Sequence, residues 1–451
     1  MTPAPGPRTS LGLHDAAGGY LIGRGQAWFA FAMTFALMLF DYIDRQVIVS
    51  VFPHLRAEWS LSDKQLGSLV SVVSVTVALA GIPIALLADR GSRVRSIVAM
   101  AAVWSLASIS CMFTRSYGLL LAARGVVGLG EAGYGSVGAA LIASLFPERM
   151  RGGLMATFFA AASIGSVLGV VLGGVIAARF GWQAAFGVVG VPGLVLALVY
   201  LTVRDYKTVA LTPSLSQAAS STASAVKFIA KTLLRSRTMG WICVGDAAQL
   251  ITVSALWAWL PSYLNRVYGL STEQAAIKSA VIVLCGAFGS MFWGFVVDHA
   301  GAKRPRNKLH AVAVVCLLSL CVLVTAFALR LAPGLQFALI ALGGFLATCT
   351  AGAITAVVID VIHPGVRATG ASVLSLFRNL LGLAAGPFIA GALSDAFGLD
   401  TALAATPWFG LVAAACFVVA ARSYESDMLG AKVPIDAEPP HNTVGTAGAP
   451  A

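Results

Sequence analysis

Residues 38–49 read MLFDYIDRQVIV and place three charged side chains inside an apolar run that covers about 27–53. In a soluble core Asp41, Asp44 and Arg45 would each need a partner. In a bilayer each would cost roughly 2.5–3.5 kcal/mol on insertion scales. The meaning of this stretch therefore depends on the solvent that surrounds it.

The composition indicates a bilayer. Of 451 residues, 58% are hydrophobic and 11% are charged, against about 25% charged in a typical soluble domain. The net charge of +11 comes from Lys and Arg in short loops between apolar runs, a pattern that orients membrane proteins and not one that binds nucleic acid. The seven cysteines form no CxxC pair and the histidines lack ligand spacing, so no metal and no cofactor are expected.

Twelve apolar runs are long enough to span a bilayer, which takes about 20 residues each. They lie near 27–51, 65–88, 94–114, 117–145, 153–178, 184–203, 240–264, 275–297, 309–330, 334–361, 369–394 and 402–421. The sequence therefore predicts an all-α integral membrane protein of twelve transmembrane helices.

The Lys and Arg residues set the expected orientation. With both termini in the cytoplasm, twenty fall on the cytoplasmic side and seven on the outer side, as the positive-inside rule requires. The expected organisation is a cytoplasmic tail at 1–26, a six-helix bundle at 27–203, a linker at 204–239, a second bundle at 240–421 and a disordered tail at 422–451. Residues 226–237 are a candidate interfacial helix, with an ordinary basic loop as the alternative.

The two bundles repeat each other in sequence. GEAGYGSVGAALIASLFPERMRGG at 130–153 is echoed by TAGAITAVVIDVIHPGVRATG at 350–370, and ADRGSRVR at 88–95 by VDHAGAKR at 297–304. Parallel six-helix repeats are a transporter architecture. A passive channel would not need them.

Charged residues also occur in the fourth span. Arg124 and Glu131 are two helical turns apart and share a face bared by Gly128. Asp41 and Arg45 share a face of the first span in the same way. Buried ionisable groups mark a functional site by default, although a structural lock between two helices would use the same residues.

Weaker candidates surround this cluster. The candidate cavity contacts are Asp246, Gln249, Trp257, Arg378 and Asn379. The candidate cytoplasmic gate residues are Asp89, Arg90, Arg93, Arg151, Asp298, Asp360 and Arg367. For Asp246 and Gln249, hydrogen bonding between helices is an equal alternative. The chain has no GxxxxGK[ST] loop and no nucleophile arranged with His and an acid, so neither an ATP-driven pump nor an enzyme is expected.

Several of these motifs resemble those of the major facilitator superfamily. ALLADRGSRVR at 85–95 is similar to its loop signature, RGVVGLGEAG at 124–133 to its fourth-helix signature, and GSVLGVVLGG at 165–174 with GLAAGPFIAG at 382–391 to its glycine patterns. DYIDR at 41–45 together with RGVVGLGEA resembles the spinster-like branch, except that this branch often has Asn where the chain has Asp41. Anion:cation symporters of the same superfamily share similar motifs.

The resemblance implies a secondary transporter that moves its solute by alternating access. It carries Asp44, Arg45, Arg124 and Glu131 over as a cluster for proton and substrate coupling, to which Asp41 adds a further carboxylate. The expected solute is an anionic amphipath such as a lysolipid or sphingoid phosphate. The alternatives are a proton symporter for sugar acids or aromatic carboxylates and, third, a multidrug efflux pump. The expected partners are the bilayer of the cell membrane, the solute and protons, with the chain a monomer.

Overall fold

The computed structural model describes residues 20–204, 236–362 and 367–431. Within these ranges the regular structure is helical throughout. The helices are Arg24–Trp59 (α1), Asp63–Arg90 (α2), Arg93–Cys111 (α3), Tyr117–Glu131 (α4), Tyr134–Leu145 (α5), Glu148–Phe180 (α6), Trp182–Tyr200 (α7), Arg237–Tyr268 (α8), Thr272–Gly301 (α9), Asn307–Ala328 (α10), Pro333–Ala347 (α11), Thr350–Val361 (α12), Arg367–Phe377 (α13), Ala385–Phe397 (α14), Leu399–Ala405 (α15) and Phe409–Gly430 (α16).

These helices supply twelve segments that are long and apolar enough to cross a membrane, counted over the described ranges. The predicted all-α fold with twelve spans is therefore confirmed. The candidate interfacial helix lies almost entirely outside the described residues, as do most of both predicted tails.

Four of the predicted spans are not continuous α-helices; in the twelfth, a 3₁₀ turn at Thr406–Trp408 separates α15 from α16. The fourth breaks between α4 and α5, where Gly133 has φ +83°, a conformation that glycine adopts without steric cost. The tenth breaks between α11 and α12. The eleventh passes through a π-helical turn at Arg378–Leu383, a feature common at functional sites.

The last helix ends later than the sequence predicts. Helix α16 continues to Gly430, so the start of the tail at 422 was placed too early. The reason is a polar contact beyond the apolar run: Asp427 accepts hydrogen bonds from the Ser236 hydroxyl at 2.8 Å and the Thr238 N–H at 2.9 Å. This contact fixes the end of α16 to the start of α8.

Glycines allow α1 and α6 to pack closely. A Cβ at Gly165 or Gly169 would meet the backbone carbonyls of Leu39 or Ile43, and one at Gly173 would meet Val47. Small residues of this kind let transmembrane helices approach each other. The GSVLGVVLGG stretch thus holds α1 in place, and α1 carries the first charges of the cluster.

The two halves, α1–α7 and α8–α16, meet at one end of the molecule. We call the end that holds Ser60 and Gly269 the distal end, and the end where α1 starts and α16 stops the proximal end. Two ion pairs between described side chains join the halves there, Arg266 with Asp63 and Arg179 with Glu273. Deeper in the bundle the Ser71 hydroxyl donates to the Ala384 carbonyl at 2.5 Å.

Candidate functional site

The first half brings together the five charged residues predicted from the first and fourth spans. Three lie on α1 and two on α4, where Arg124 is at the middle and Glu131 at the C-terminal end. Four of these residues are buried, with exposures from 0 to 4%: Asp41, Asp44, Arg124 and Glu131. Arg45 keeps more access to solvent, with 19% of its side chain exposed.

Arg45 lies between two carboxylates. Its Nη2 is 2.9 Å from Oε2 of Glu131 on α4, and its Nε is 3.5 Å from Oδ2 of Asp41 one turn earlier on α1. The guanidinium carbon is also 5.3 Å from the centre of the Tyr42 ring. One partly exposed cation is thus shared by two buried acids.

Arg124 forms a separate ion pair. Its Nη1 is 2.7 Å from Oδ2 of Asp44, and the Ser108 hydroxyl of α3 donates to the other oxygen of the same carboxylate. The Arg124 side chain is 1% exposed. This pair therefore joins α1, α3 and α4 deep inside the first half.

The pairing crosses between helices. The sequence places Arg124 and Glu131 on one face of α4, yet each of them binds a residue of α1. Asp41 Oδ1 and both oxygens of Glu131 are buried without a hydrogen-bond partner among the described residues, and Glu131 Oε2 meets Arg45 as an ion pair. Both oxygens of Asp44 are therefore bonded, although Arg124 Nε has no partner among the described residues, whereas the carboxylates beside Arg45 are incomplete.

In the second half the buried Asp246 pairs with the partly exposed Arg378. Nε of Arg378, at the start of the π-helical turn, is 2.5 Å from Oδ2 of Asp246 on α8. Arg378 also donates to the Thr355 hydroxyl and the Ala351 carbonyl, both at 3.2 Å. Asp246 is fully buried and makes the contact between helices that was the alternative interpretation, while its role as a cavity contact stays a prediction.

The other candidate cavity contacts have varied surroundings. Gln249 is buried, and its amide donates to the Ala347 carbonyl at 3.0 Å, where α11 ends. The Asn379 amide donates to Ser375 on its own helix. The indole N–H of Trp257 is buried without a partner in the described part of the chain. Gln249 Oε1 likewise has no partner among the described residues, so both Gln249 and Trp257 retain an unused hydrogen-bonding atom.

The candidate gate residues lie at the proximal end. In the first half Arg93 donates to the Ser144 hydroxyl at 2.9 Å and Arg151 to the Phe146 carbonyl at 3.1 Å. The structure does not describe the side chains of Asp89, Arg90 and Arg367, so their contacts stay predictions.

In the second half Lys308 lies between two of the gate carboxylates, 3.3 Å from Asp298 and 3.5 Å from Asp360. The Tyr424 hydroxyl donates to Asp360 at 2.6 Å. These residues line a cavity of about 350 Å³. Asp298 and Asp360 are therefore linked through a cation that the sequence reasoning did not single out.

A group of polar residues at the distal end was missed by the sequence reasoning. We call it the distal clamp: Asp63, Arg56, Arg266, Ser394 and Asp395. Arg266 binds both oxygens of Asp63 at 2.7 Å, and the Ser394 hydroxyl donates to the same carboxylate at 2.5 Å. Arg56 reaches it at 2.9 Å.

Asp395 completes the clamp from the second half. Its carboxylate accepts the backbone N–H groups of Asp63 and Lys64, which begin α2, at 2.7 and 2.9 Å. An acid is favourable at a helix N-terminus. A capping Ser62 before two charged residues was the available signal, but all the partners except Arg56 lie more than 200 residues away.

Comparison with known proteins places this architecture among transporters. Residues 34–385 match the family model described as Major Facilitator Superfamily. Among solved structures, the chain is similar to a bacterial homolog of the human lysosomal transporter spinster in an inward-facing, unoccupied conformation. The TM-score is 0.80 at 25% identity, covering 90% of this chain and 99% of that one.

Two curated relatives indicate different solutes. The mouse sphingosine-1-phosphate transporter SPNS2 is 27% identical over 79% of this chain and 67% of its own length. The hexuronate transporter of Bacillus subtilis is 24% identical over 79% of this chain and 86% of its own length. The predicted resemblance to the superfamily and its spinster-like branch is confirmed.

Proposed function

The chain belongs to the major facilitator superfamily of membrane transporters, and on that premise we propose that it moves an anionic amphipathic solute by proton-coupled alternating access. The solute class is a lysolipid or a sphingoid phosphate. The observation that carries the proposal is Arg45, which keeps 19% of its side chain exposed while Arg124 keeps 1%. Of the two cations in the cluster, Arg45 is the one that a solute can reach.

The geometry around Arg45 links anion binding to proton binding. Glu131 and Asp41 both contact its guanidinium. An anionic headgroup that binds Arg45 displaces at least one of these carboxylates. A carboxylate left in an apolar interior without a counter-ion is costly, so it takes up a proton. Solute anion and proton then bind together and leave together.

Polar groups in the second half support an amphipathic solute over a sugar. The Ser254 hydroxyl donates to the Gly382 carbonyl and that of Thr252 to the Thr406 carbonyl, both at 3.1 Å. Gln249 and Asn379 are also bonded within the protein. The polar groups that keep an unused hydrogen-bonding atom here, such as Gln249 Oε1 and the Trp257 indole N–H, are buried and few in number, whereas an alkyl chain needs none.

The proposed orientation puts both termini in the cytoplasm of a cell whose plasma or inner membrane holds the chain as a monomer. The distal clamp then closes the outer entrance, and the solute site communicates with the cytoplasm. The similarity to a transporter solved in an inward-facing conformation supports this assignment.

A second candidate function is proton symport of small organic acids. The similarity to a hexuronate transporter favours it, and Arg45 would bind a carboxylate as readily as a phosphate. The two functions differ in what the rest of the site must accommodate, which is an alkyl chain in one case and several hydroxyls in the other.

A competition experiment separates these functions. Purified protein binds a fluorescent lysophosphatidate, and alkyl phosphates of increasing chain length or glucuronate compete with it. For an amphipathic solute each added methylene should tighten binding by up to about 0.8 kcal/mol, roughly fourfold in affinity. Strong competition by glucuronate with no dependence on chain length would contradict the lipid assignment.

The role of Arg45 is tested in the same experiment. Arg45→Gln should weaken competition by alkyl phosphates by at least about tenfold, because the headgroup loses its cation. The matched control is Arg115→Gln, which removes an exposed arginine from the loop between α3 and α4 at the distal end. Equal effects of the two substitutions would show that Arg45 does not bind the headgroup.

A further inference from the structure

We propose that Asp41 and Glu131 form a single proton site that holds one shared proton, while Asp44 is the fixed counter-ion of Arg124. The inference rests on the proposed function and assigns its coupling step to two of the three carboxyls in the cluster. It gives Asp41, the position where the spinster-like branch often has Asn, a specific part in that step.

The charge balance requires a proton in this cluster. The cluster contains three acids and two arginines. With every group ionised the buried set would carry one uncompensated negative charge, which a low-dielectric interior disfavours strongly. One bound proton makes the cluster neutral.

Hydrogen bonding excludes Asp44 as the residue that carries this proton. Both oxygens of Asp44 are occupied, one by the Ser108 hydroxyl and the other by Arg124 at 2.7 Å. Each of these partners is a donor and stabilises the ionised carboxylate. Asp44 is also fully buried, so it serves as a permanent anion.

The other two carboxyls, those of Asp41 and Glu131, have incomplete hydrogen bonding. Asp41 Oδ1 and Glu131 Oε1 are buried and lack a hydrogen-bond partner in the part of the chain that the structure describes. Both groups pair with the guanidinium of Arg45, Asp41 at 3.5 Å and Glu131 at 2.9 Å. The two carboxyls also interact electrostatically with each other. A proton on one of them provides the missing donor, and Arg45 balances the carboxylate that remains.

The groups that face this pair come from three helices. They are Asp44, Arg45 and Tyr42 on α1, Arg124 on α4 and Tyr134 on α5. Arg124 is already neutralised by Asp44, and the two phenols add no cation. Within the described surroundings Arg45 is therefore the single cation available to two carboxyls.

The arrangement makes the two carboxyls interchangeable for coupling. When a solute anion takes Arg45, the remaining carboxylate loses its counter-ion and binds a second proton. If either carboxyl is removed, the other still pairs with Arg45 and still takes up a proton when the anion binds. One carboxyl is therefore sufficient for coupling, and the shared proton requires both.

Infrared spectroscopy of the purified full chain without solute tests the shared proton. At neutral pH the parent should show the C=O stretching band of one protonated, buried carboxyl. The band should disappear in Asp41→Asn and equally in Glu131→Gln, because the carboxylate that remains is ionised beside Arg45. The control Asp246→Asn removes the buried acid of the second half and should keep the band.

Two results would overturn the proposal: absence of the band in the parent, or its persistence in both Asp41→Asn and Glu131→Gln. Two variants are used so that failure of one to fold does not decide the outcome. Because no solute is present, this measurement is independent of the proposed function.

A transport measurement then tests the interchangeability of the carboxyls. Proteoliposomes with an imposed pH gradient should accumulate glucuronate or a short alkyl phosphate, whichever the parent accepts, with either single variant. The double variant Asp41→Asn/Glu131→Gln should only equilibrate it. Accumulation by the double variant, or its loss in one single variant alone, would contradict a two-carboxyl site.

Discussion

The two halves of the molecule share an architecture and differ in charge. Each has a broken fourth helix, at Gly133 in the first half and between Ala347 and Thr350 in the second. Among the described residues, the first half carries three acids and two bases at its centre, whereas the centre of the second carries the single pair of Asp246 and Arg378. The repeat therefore preserves helix packing, while the unbalanced charge is confined to the first half.

This difference indicates a division of labour. A half with a surplus acid needs a proton for neutrality, and a half with one matched pair does not. We infer that the first half carries out the proton chemistry and that the second half supplies a neutral wall with Arg378 at its π-helical turn. Substitutions matched between the halves can break or sharpen this comparison.

The largest expected effect concerns the two buried ion pairs. Asp44→Asn leaves Arg124 buried without a counter-charge, which should cost about 3–5 kcal/mol of stability. Asp246→Asn should cost less, because Arg378 is 23% exposed and keeps its bonds to Thr355 and Ala351. Thermal unfolding in detergent measures both. Equal losses would show that the pair of the second half is as essential to folding as that of the first.

An intermediate effect is expected from helix packing, in which the halves should be alike. A Cβ at Gly130 would overlap the backbone of Trp104, and one at Gly289 the carbonyl of Phe345. Each glycine-to-alanine change should therefore destabilise the protein by about 1–3 kcal/mol, as measured by its unfolding temperature in detergent.

The controls for these glycines lie on the same helices. Gly118 on α4 and Gly294 on α9 have open space where a Cβ would be, so alanine there should be neutral or slightly stabilising. A large loss at Gly130 with none at Gly289 would mean that the halves differ in packing as well as in charge.

The smallest effects are expected where the halves meet. Arg266→Gln removes two of the bonds to Asp63 and should favour opening of the distal end by about tenfold, or about 1.4 kcal/mol. Arg179→Gln breaks the exposed pair with Glu273, which is worth about 0–1 kcal/mol. Distances between spin labels at Ser60 and Gly269 report the opening. Equal shifts in the two variants would show that the clamp does not set the conformation.

The sequence predicts the architecture well and the pairing poorly. Apolar runs identify all twelve spans because the bilayer imposes a minimum length on each. Spacing along one helix also identifies the five residues of the cluster. It cannot show how α1 and α4 are rotated against each other, and so it could not tell which acid of the cluster meets which arginine.

Contacts between segments far apart in the sequence could not be predicted, because they too depend on how the helices are placed against each other. Asp246 and Arg378 are 132 residues apart, and Asp63 and Arg266 are 203 apart. In the sequence each of these four residues is a single charge with no charged neighbour on its helix face. For Asp246 and Arg378, two opposite charges within the spans of one half were a usable signal that they pair. The distal clamp joins two halves whose relative placement no local pattern encodes.

The neutrality of the cluster has a consequence for bioenergetics. A charge that crosses a membrane potential of 100 mV exchanges about 2.3 kcal/mol with the electric field. With one shared proton, the charges of the first-half cluster sum to zero, as do those of Asp246 and Arg378. The empty carrier would then return without moving net charge, and a monoanion carried with one proton would cross electroneutrally. Accumulation of the solute would follow the pH gradient and be insensitive to voltage.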